Sequence, residues 1–536
     1  MTKTEILKRE LLDYLYNEKN IIQQLIEKHK SLCDEDKIES GILVKSINCK
    51  EIAENTYEFC VSENYTKWRT GDRVSLLNSD SSIRISAIIV DNLPESIVVT
   101  TEKALKENIS IDIIYEEAIF TDIIIDLLES AEKREELTFF LEVLSGEIPP
   151  PTKGLNQIVC HQEDMDEEKS EAIDKILCKP YVYCLQGPPG TGKTKVLSRI
   201  ASIFSQKGKD VLILALTHQA VNNALNAVAF HKKLPVVKIG ELLKGMGLHE
   251  HIVQKKDFKT FSKSGKKHRY SKGHVVGMTL NSAIVNFGLK RTGFSPSIVL
   301  IDEASQIPLS TSSVLGIIGS SSYIFFGDER QMPPIFQPEL VKSFLSVSIF
   351  DYLKTNIIDE LKMTLHTTYR MNSVICDYVS RNFYEPYGIK LSSFVEISNR
   401  KVDGEDLNES IEHIVIESEN STDFNEAEAQ KAVEVAITYK ELGEDVAIIT
   451  PFRKQVNLIR KVWNEKTNDR NILIDTVERL QGQDVDVIIL STSVNSWEYY
   501  QTTNAFIENA NRLNVIFSRA KKKVVAITSP LVKLPQ

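Results

Sequence analysis

The chain has 536 residues, 42% of them hydrophobic and 26% charged, and a formal net charge of −10. That length exceeds what one hydrophobic core usually supports, and the composition excludes a disordered or fibrous chain. The acidic balance excludes coating of nucleic acid by bulk positive charge, so any polyanion has to be held locally. Seven cysteines without a Cys-x-x-Cys pair give no support to a zinc ribbon, an iron–sulfur cluster or a disulfide framework.

Apolar pairs at Ile6/Leu7, Leu11/Leu12, Leu15/Tyr16, Ile21/Ile22 and Leu25/Ile26 recur near helical spacing and predict a helix over the first thirty residues. From Gly41 to Ile114 the pattern changes to short β-branched or alternating runs broken by Asn, Ser, Gly and Pro, which predicts a small β-barrel over about residues 40–114. A second helical stretch, Tyr115 to Leu144, ends at Gly146 and Pro149-Pro150-Pro151, punctuation expected at a domain boundary. Residues 1–151 thus read as one accessory helix, barrel and helix unit.

Beyond the prolines apolar strands alternate with helices, the pattern of a parallel sheet covered on both faces. Strands are predicted at Tyr181–Leu185, Val211–Ala215, Val275–Met278, Ile298–Ile301 and Tyr323–Phe326, then at Val446–Thr450, Ile472–Asp475, Val487–Leu490 and Val524–Thr528. Two tandem α/β domains follow, 152–335 and 336–536, the first interrupted by an insert at about 241–274 with nine Lys/Arg against three Asp/Glu. That surplus suits either a solvated loop or a nucleic-acid clamp. His249 and His251 lie in it without cysteine partners, so no metal site is expected there. The Glu417–Gln430 stretch reads as acidic surface leading into a helix. No run approaches 18 consecutive apolar residues. A cytoplasmic chain is expected, nuclear if its host has a nucleus, with no membrane partner.

Residues Gly187-Pro188-Pro189-Gly190-Thr191-Gly192-Lys193-Thr194 lie between a predicted strand and a helix-like run from Lys195 to Phe204. A glycine-rich turn at a helix N-terminus presents backbone N–H groups to a polyphosphate. Lys193 is expected to reach the β- and γ-phosphates, and the Thr194 hydroxyl to coordinate Mg²⁺. Asp302 and Glu303 follow a buried strand, where parallel sheets hold their ligands. Asp302 is expected to orient Mg²⁺ and Glu303 to activate the attacking water. Gln331, after the next strand, is placed to sense a γ-phosphate. Arg370 and Arg519 offer two guanidiniums from the second domain to neutralise charge on the transferring phosphoryl group.

In consecutive order, Gly187–Thr194, Thr217–Val221, Gly277–Thr279, Asp302–Gln306, Gly327–Pro334, Thr368–Asn372, Thr450–Arg453, Thr476–Asp484 and Arg512–Lys521 resemble the motifs of superfamily 1 helicases of the 5′-to-3′ branch. That branch contains the nonsense-mediated-decay RNA helicase and the helicase half of the eukaryotic Okazaki-flap helicase-nuclease. Thr217-His218 ahead of Ala220-Val221, Tyr369-Arg370-Met371-Asn372, and Asp484 where many relatives carry Glu, lean toward the flap-processing relative. The resemblance implies two RecA-like domains with a helical stalk and accessory barrel. It further implies Tyr369 stacking on the nucleotide base, Arg370 and Arg519 on the γ-phosphate, and Gln481 with Asp484 linking nucleotide to strand. Lys169 departs from the pattern, standing where relatives usually place a glutamine that reads adenine.

Thr217, His218 and Thr279 in the first domain, with Thr450, Arg453 and Thr476 in the second, all follow strands, so both domains are expected to grip one single-stranded backbone. Tyr65-Thr66-Lys67-Trp68-Arg69 in the barrel mixes aromatic and basic groups and suits either core packing or strand contact. The expected protein is an ATP- and Mg²⁺-dependent translocase moving 5′ to 3′ on single-stranded DNA. An RNA helicase and an ATP-gated nucleic-acid clamp within a repair or defence assembly are its rivals. No nuclease motif is recognisable, so any cutting falls to a partner protein.

Overall fold

The computed structural model describes residues 1–536 apart from 54, 62–63, 67, 69–72, 79–83, 93–95, 102–103, 106–110, 116–119, 151–164, 179, 231–233, 241–246, 257, 259–272, 290–293, 418–420, 468, 470, 481 and 536. The chain forms two compact units: Leu15–Ile125, and Met1–Tyr14 together with Asp126–Gln536. Its first element is the expected helix, Lys3–Ser31, whose buried side chains Leu7, Leu11, Tyr14 and Leu15 recur every three to four residues.

In the smaller unit, β1 (Leu43–Ala53), β2 (Thr56–Val61), β3 (Arg73–Asn78), β4 (Arg84–Asn92), β5 (Ser96–Thr101) and β6 (Ile111–Tyr115) close an antiparallel barrel in the order β1-β2-β5-β4-β3-β6. Alternate residues of β2, Tyr57, Phe59 and Val61, point inward with Val74, Leu76 and Ile113. Trp68 belongs to this core at 3% exposure, which removes it from any strand-binding surface. Lys67 and Arg69 lie outside the described residues.

The larger unit carries two parallel sheets. The first contains β7 (Val182–Gln186), β8 (Val211–Ala215), β9 (Val236–Ile239), β10 (Val253–Lys255), β11 (Val275–Thr279), β12 (Ile298–Ile301), β13 (Tyr323–Gly327) and β14 (Lys362–Thr364), in the order β10-β9-β11-β8-β12-β13-β7-β14. β15 (Thr367–Thr368) and β16 (Ser392–Ser393) form a short parallel pair. The second sheet contains β17 (Ile411–Val415), β18 (Val446–Ile449), β19 (Leu473–Asp475), β20 (Val485–Ser491) and β21 (Ala520–Thr528), ordered β17-β21-β20-β18-β19.

Alternation decides which side of the second sheet each residue supports. Val446, Ile448, Val487 and Ile489 pack with helices 426–441 and 453–466, while Ala447, Ile449, Ile488 and Leu490 pack with helices 373–379 and 510–518. Burial on both faces explains the near-continuous apolar runs.

Several elements escaped the sequence pattern. β9, β10, β14 and β17 were not expected, and in the stretch from Tyr115 to Leu144 the first residue still belongs to β6, followed among the described residues by a helix over Thr121–Glu129, a 3₁₀ turn and a helix over Glu135–Leu144. β14 pairs with β7, so the first sheet draws on chain beyond the expected boundary at residue 335. Three half-buried residues, Lys-Met-Thr, carry no periodic signal. The basic insert contributes β10 to the edge of the first sheet, and the rest of its cationic run lies largely outside the described residues.

One buried acid sets a pH dependence. Glu428 is fully buried, accepting bonds from Ser491 Oγ and Ser493 N, each at 2.8 Å, and burial pushes its carboxyl up to about 7. A folded-state pKa raised above the unfolded one contributes stability that is full below about 4.5 and is lost as pH rises through about 7. Glu428→Gln is therefore expected to gain on wild type by roughly 1–3 kcal/mol between pH 5 and pH 8. Urea unfolding at the two pH values reads this, and parallel pH profiles for the two proteins would contradict it.

Candidate nucleotide site and strand-facing edges

β7, β13 and β12 lie side by side, so the loops leaving their carboxyl ends share one crevice. Gly187–Gly192 leaves β7 and enters helix 193–206, whose buried Val196, Leu197, Ile200 and Phe204 fix it on the sheet. Gly190 and Gly192 have φ of 74° and 88°, a region side chains avoid. A Cβ at Gly190 would also lie 2.5 Å from Thr368 Oγ1 and 2.6 Å from Arg370 Cβ. No side chain caps the helix, so its first turn presents N–H groups toward the loop. Lys193 Nζ donates to Gly187 O and is thereby folded back over the loop.

The carboxylates stand beside it. Asp302 is buried, and burial together with Glu303 pushes its carboxyl up to about 7 against the opposing pull of Lys193. Glu303 follows in a left-handed conformation, φ 51°, with Gln306 Nε2 donating to its Oε2 at 3.2 Å. A non-glycine residue held there at a ligand crevice is the kind of strain that accompanies function.

Both arginines point into the same crevice. Arg370 Nη1 donates to Ser518 O at 3.1 Å, and Asp484 lies 3.8 Å from its Nε. Burial, then the neighbouring Arg519, lowers its pKa to about 9, opposed by Asp484 and Glu303. Arg519 is lowered too, by burial first, against Glu303 and Asp484. Its Nε is buried with no hydrogen-bond partner, and Nη2 reaches Gln331 Oε1 at a long 3.4 Å. Asp484 also pairs with Lys521 at 3.5 Å. Gln481 lies outside the described residues.

Gln331 joins a buried relay that the sequence did not reveal. Its Nε2 donates to Asp328 Oδ2 at 2.8 Å; the same oxygen takes the Tyr384 hydroxyl at 2.6 Å, and Tyr384 accepts from Asn514 Nδ2 at 2.9 Å. Asn514 also donates to Arg330 O at 2.6 Å, and Asn511 to Glu329 O at 3.1 Å. Asn514 lay inside a quoted motif, whereas nothing around Tyr384 in the sequence marked it.

Tyr369 does not present a free ring. Lys169 Nζ sits 4.0 Å from its centroid, Phe394 packs at 4.7 Å, and its hydroxyl bonds to Asp166, which also pairs with Lys169. Lys169 is almost wholly buried, and burial pulls its pKa down against Asp166.

The strand-facing candidates fall into two clusters at sheet edges. Thr217 and His218 follow β8, and Thr279 ends the adjacent β11. Thr217 Oγ1 accepts from Ala220 N at 3.2 Å as a helix cap. In the second sheet Thr450 follows β18 and Thr476 follows the adjacent β19. Thr450 is wholly buried and Thr476 nearly so. Arg453 is not the free cation expected: its Nη1 pairs with Asp475 Oδ1 at 2.7 Å, and Arg460 shares that carboxylate. A Cβ at Gly482 would lie 3.2 Å from Asn223, so the loop beyond Thr476 approaches helix 218–229 below Thr217.

An AAA domain profile matches residues 169–337, and a second AAA domain profile matches residues 345–530. The DNA replication ATP-dependent helicase/nuclease DNA2 of Gallus gallus is 28% identical over 72% of this chain and 38% of its own length. The ATP-dependent helicase upf1 of Schizosaccharomyces pombe is 24% identical over 79% of this chain and 52% of its own. The chain thus carries two AAA domains and is similar to ATP-dependent helicases of superfamily 1.

It spans less than half the length of the DNA2 relatives. An uncharacterized ATP-dependent helicase of Methanocaldococcus jannaschii is covered more fully, at 23% identity over 79% of this chain and 76% of that one. Among solved structures, an arterivirus nonstructural protein 10 helicase aligns over 91% of this chain and 80% of its own at 11% identity, with a TM-score of 0.44. No helix among the described residues is long and apolar enough to cross a membrane, and none of their His, Cys, Asp and Glu side chains gather in threes suited to a metal ion.

The relay makes a testable claim about coupling. Tyr384→Phe and Asn514→Ala are each expected to lower unfolding free energy by roughly 1–3 kcal/mol through groups left unsatisfied. Because they share one hydrogen bond, the double variant should lose less than the sum by about 1 kcal/mol. Strict additivity in urea denaturation would remove the relay.

Proposed function

We propose that this chain is an ATP-driven translocase and helicase on single-stranded nucleic acid, with DNA as the preferred strand and 5′ to 3′ as the direction. The observation that carries the reading is the convergence of Arg370 and Arg519, both desolvated and one with an unpartnered Nε, on the crevice that holds Lys193, Asp302 and Glu303. Two buried cations side by side suit a polyanion, and a triphosphate is the polyanion that a glycine-rich loop at a helix N-terminus takes.

In this reading the loop amides and Lys193 hold the β- and γ-phosphates. The Thr194 hydroxyl and the Asp302 carboxylate are hard oxygen donors suited to Mg²⁺, and the buried Asp302 gains from a facing cation. Mg²⁺ held there would offset phosphate charge. Glu303, unburdened by any strong ion pair, orients the attacking water and accepts its proton. Arg519 neutralises charge on the γ-phosphoryl oxygens as it separates. Gln331 touches both Arg519 and Asp328, so loss of the γ-phosphate is felt along Asp328, Tyr384 and Asn514.

The strand runs across the carboxyl ends of the two sheets, over Thr217 and His218 in one domain and Arg453 in the other, with the buried Thr279, Thr450 and Thr476 supporting those loops from beneath. Backbone N–H groups at helices 218–229 and 453–466 face phosphates there, while Arg453 must exchange Asp475 for a phosphate. Closure of the seam on ATP and reopening after hydrolysis then moves one grip relative to the other.

ATP turnover titrated with single-stranded DNA, single-stranded RNA and duplex tests site and ligand together. Strong stimulation by single-stranded DNA is expected, with a weaker response to RNA; turnover indifferent to every polynucleotide would overturn the reading. Lys193→Ala and Arg519→Ala should each lower turnover by roughly 10²- to 10³-fold. Strand displacement with a trap for the released strand separates unwinding from an ATP-gated clamp.

A further inference from the structure

We infer that residues 365–370 form a strap fixed to the first domain, so that Arg370 reads the γ-phosphate on binding whereas Arg519 meets it only on closure, and that Glu168 is the residue positioning this strap. The inference rests on the nucleotide site proposed above and assigns its two arginines different tasks.

The strap is tied on two sides: its carbonyls at His366 and Thr368 accept from Ser392 N at 3.0 Å and Phe394 N at 2.9 Å, and a larger set of links runs to the first domain. Leu365 N donates to Gln186 O at 2.9 Å, at the end of β7. His366 N donates to Glu168 Oε2 at 3.0 Å and Thr367 N to the same oxygen at 3.3 Å, while His366 Nδ1 lies 3.0 Å from Glu168 Oε1. Thr368 Oγ1 donates to Pro189 O at 2.9 Å, and Tyr369 N to Gly190 O at 2.8 Å. Those last two acceptors are carbonyls of the phosphate loop itself. Arg370 therefore leaves a backbone stapled to the loop, and a Cβ on Gly190 would strike it.

Arg519 is held differently. It ends helix 510–518, packed on the second sheet, and crosses to the first domain through one 3.4 Å contact with Gln331. If the domains part, Arg519 leaves with the second sheet, and Arg370 stays by the loop because the Gln186, Glu168, Pro189 and Gly190 anchors outnumber the strap's bonds to 392–394. The head of Arg370 now rests on Ser518 O, a neutral acceptor that a phosphate outcompetes.

Glu168 is the charged group that takes the strap's backbone amides, while Asp166 takes only the Tyr369 hydroxyl. It lies in the first turn of helix 167–177 and accepts from two consecutive strap amides on one oxygen, a hold that fixes the path two residues ahead of Tyr369-Arg370. Thr368, wholly buried, is the second anchor.

The test is equilibrium binding of mant-labelled AMP-PNP and mant-labelled ADP to the full chain with Mg²⁺ and without nucleic acid. Wild type is expected to favour AMP-PNP by about tenfold, the worth of one charge-assisted contact. Glu168→Ala and Thr368→Val should each shrink that ratio to below about threefold, while Glu168→Gln, which keeps an acceptor for the strap amides, retains most of it. Arg519→Ala should leave the ratio within about twofold of wild type although its turnover collapses. A ratio untouched in both Glu168→Ala and Thr368→Val would overturn the inference. So would a ratio lost as fully in Arg519→Ala, or a wild type that does not discriminate. Failure of wild type to bind either nucleotide would instead sink the nucleotide site itself.

Discussion

Two guanidiniums buried next to each other are a costly arrangement unless an anion is meant to lie between them and their surroundings. Burial lowers the pKa of both Arg370 and Arg519, and Arg519 adds its own repulsion to Arg370. Across the crevice Asp302 and Glu303 repeat the problem with opposite sign, Asp302 being pushed up by burial and by its neighbour. Neither pair satisfies the other directly. The proposed triphosphate with its Mg²⁺ would resolve both tensions at once, and the folding energy that keeps Arg370, Arg519 and Asp302 withdrawn from water comes from the two sheets beneath them.

The sheets also determine how the site can move. The first supplies the loop, Lys193 and the carboxylates, and through β14 and the residues after it keeps hold of Arg370. The second supplies Arg519 and Asn514. Between them run specific polar links, among them Arg370 to Ser518 O, Arg519 to Gln331, Asp328 through Tyr384 to Asn514, and Asn514 and Asn511 to the carbonyls of Arg330 and Glu329. A seam with specific polar contacts can open and close as a two-state element in a way that a packed apolar core cannot. The clusters proposed to face the strand sit at the same carboxyl ends, so a change in seam angle is a change in their spacing.

The parallel sheets and the phosphate loop were legible in the sequence because their signals are local: a run of buried residues such as Ile298–Ile301, or glycines where the backbone needs positive φ. What stayed hidden depends on partners far away in the chain. Tyr384 looks like any core tyrosine until Asp328 and Asn514 are brought to it. Glu168 reads as an ordinary first-turn acid of a helix, and its role comes from residues nearly two hundred positions on. Arg453 looked free, and only the fold sets Asp475 beside it. Short edge strands such as Lys362–Thr364 form because a neighbour offers hydrogen bonds, not because their residues demand it.

The central claim is that a nucleotide closes the seam between the two sheets. Fluorophores carried by unnatural amino acids at the exposed positions Phe230 and Leu442, one in each domain, report that distance by energy transfer. A shorter distance with AMP-PNP than with ADP, lost in Arg519→Ala, is the result the account expects. Tight AMP-PNP binding with the distance unchanged would contradict it.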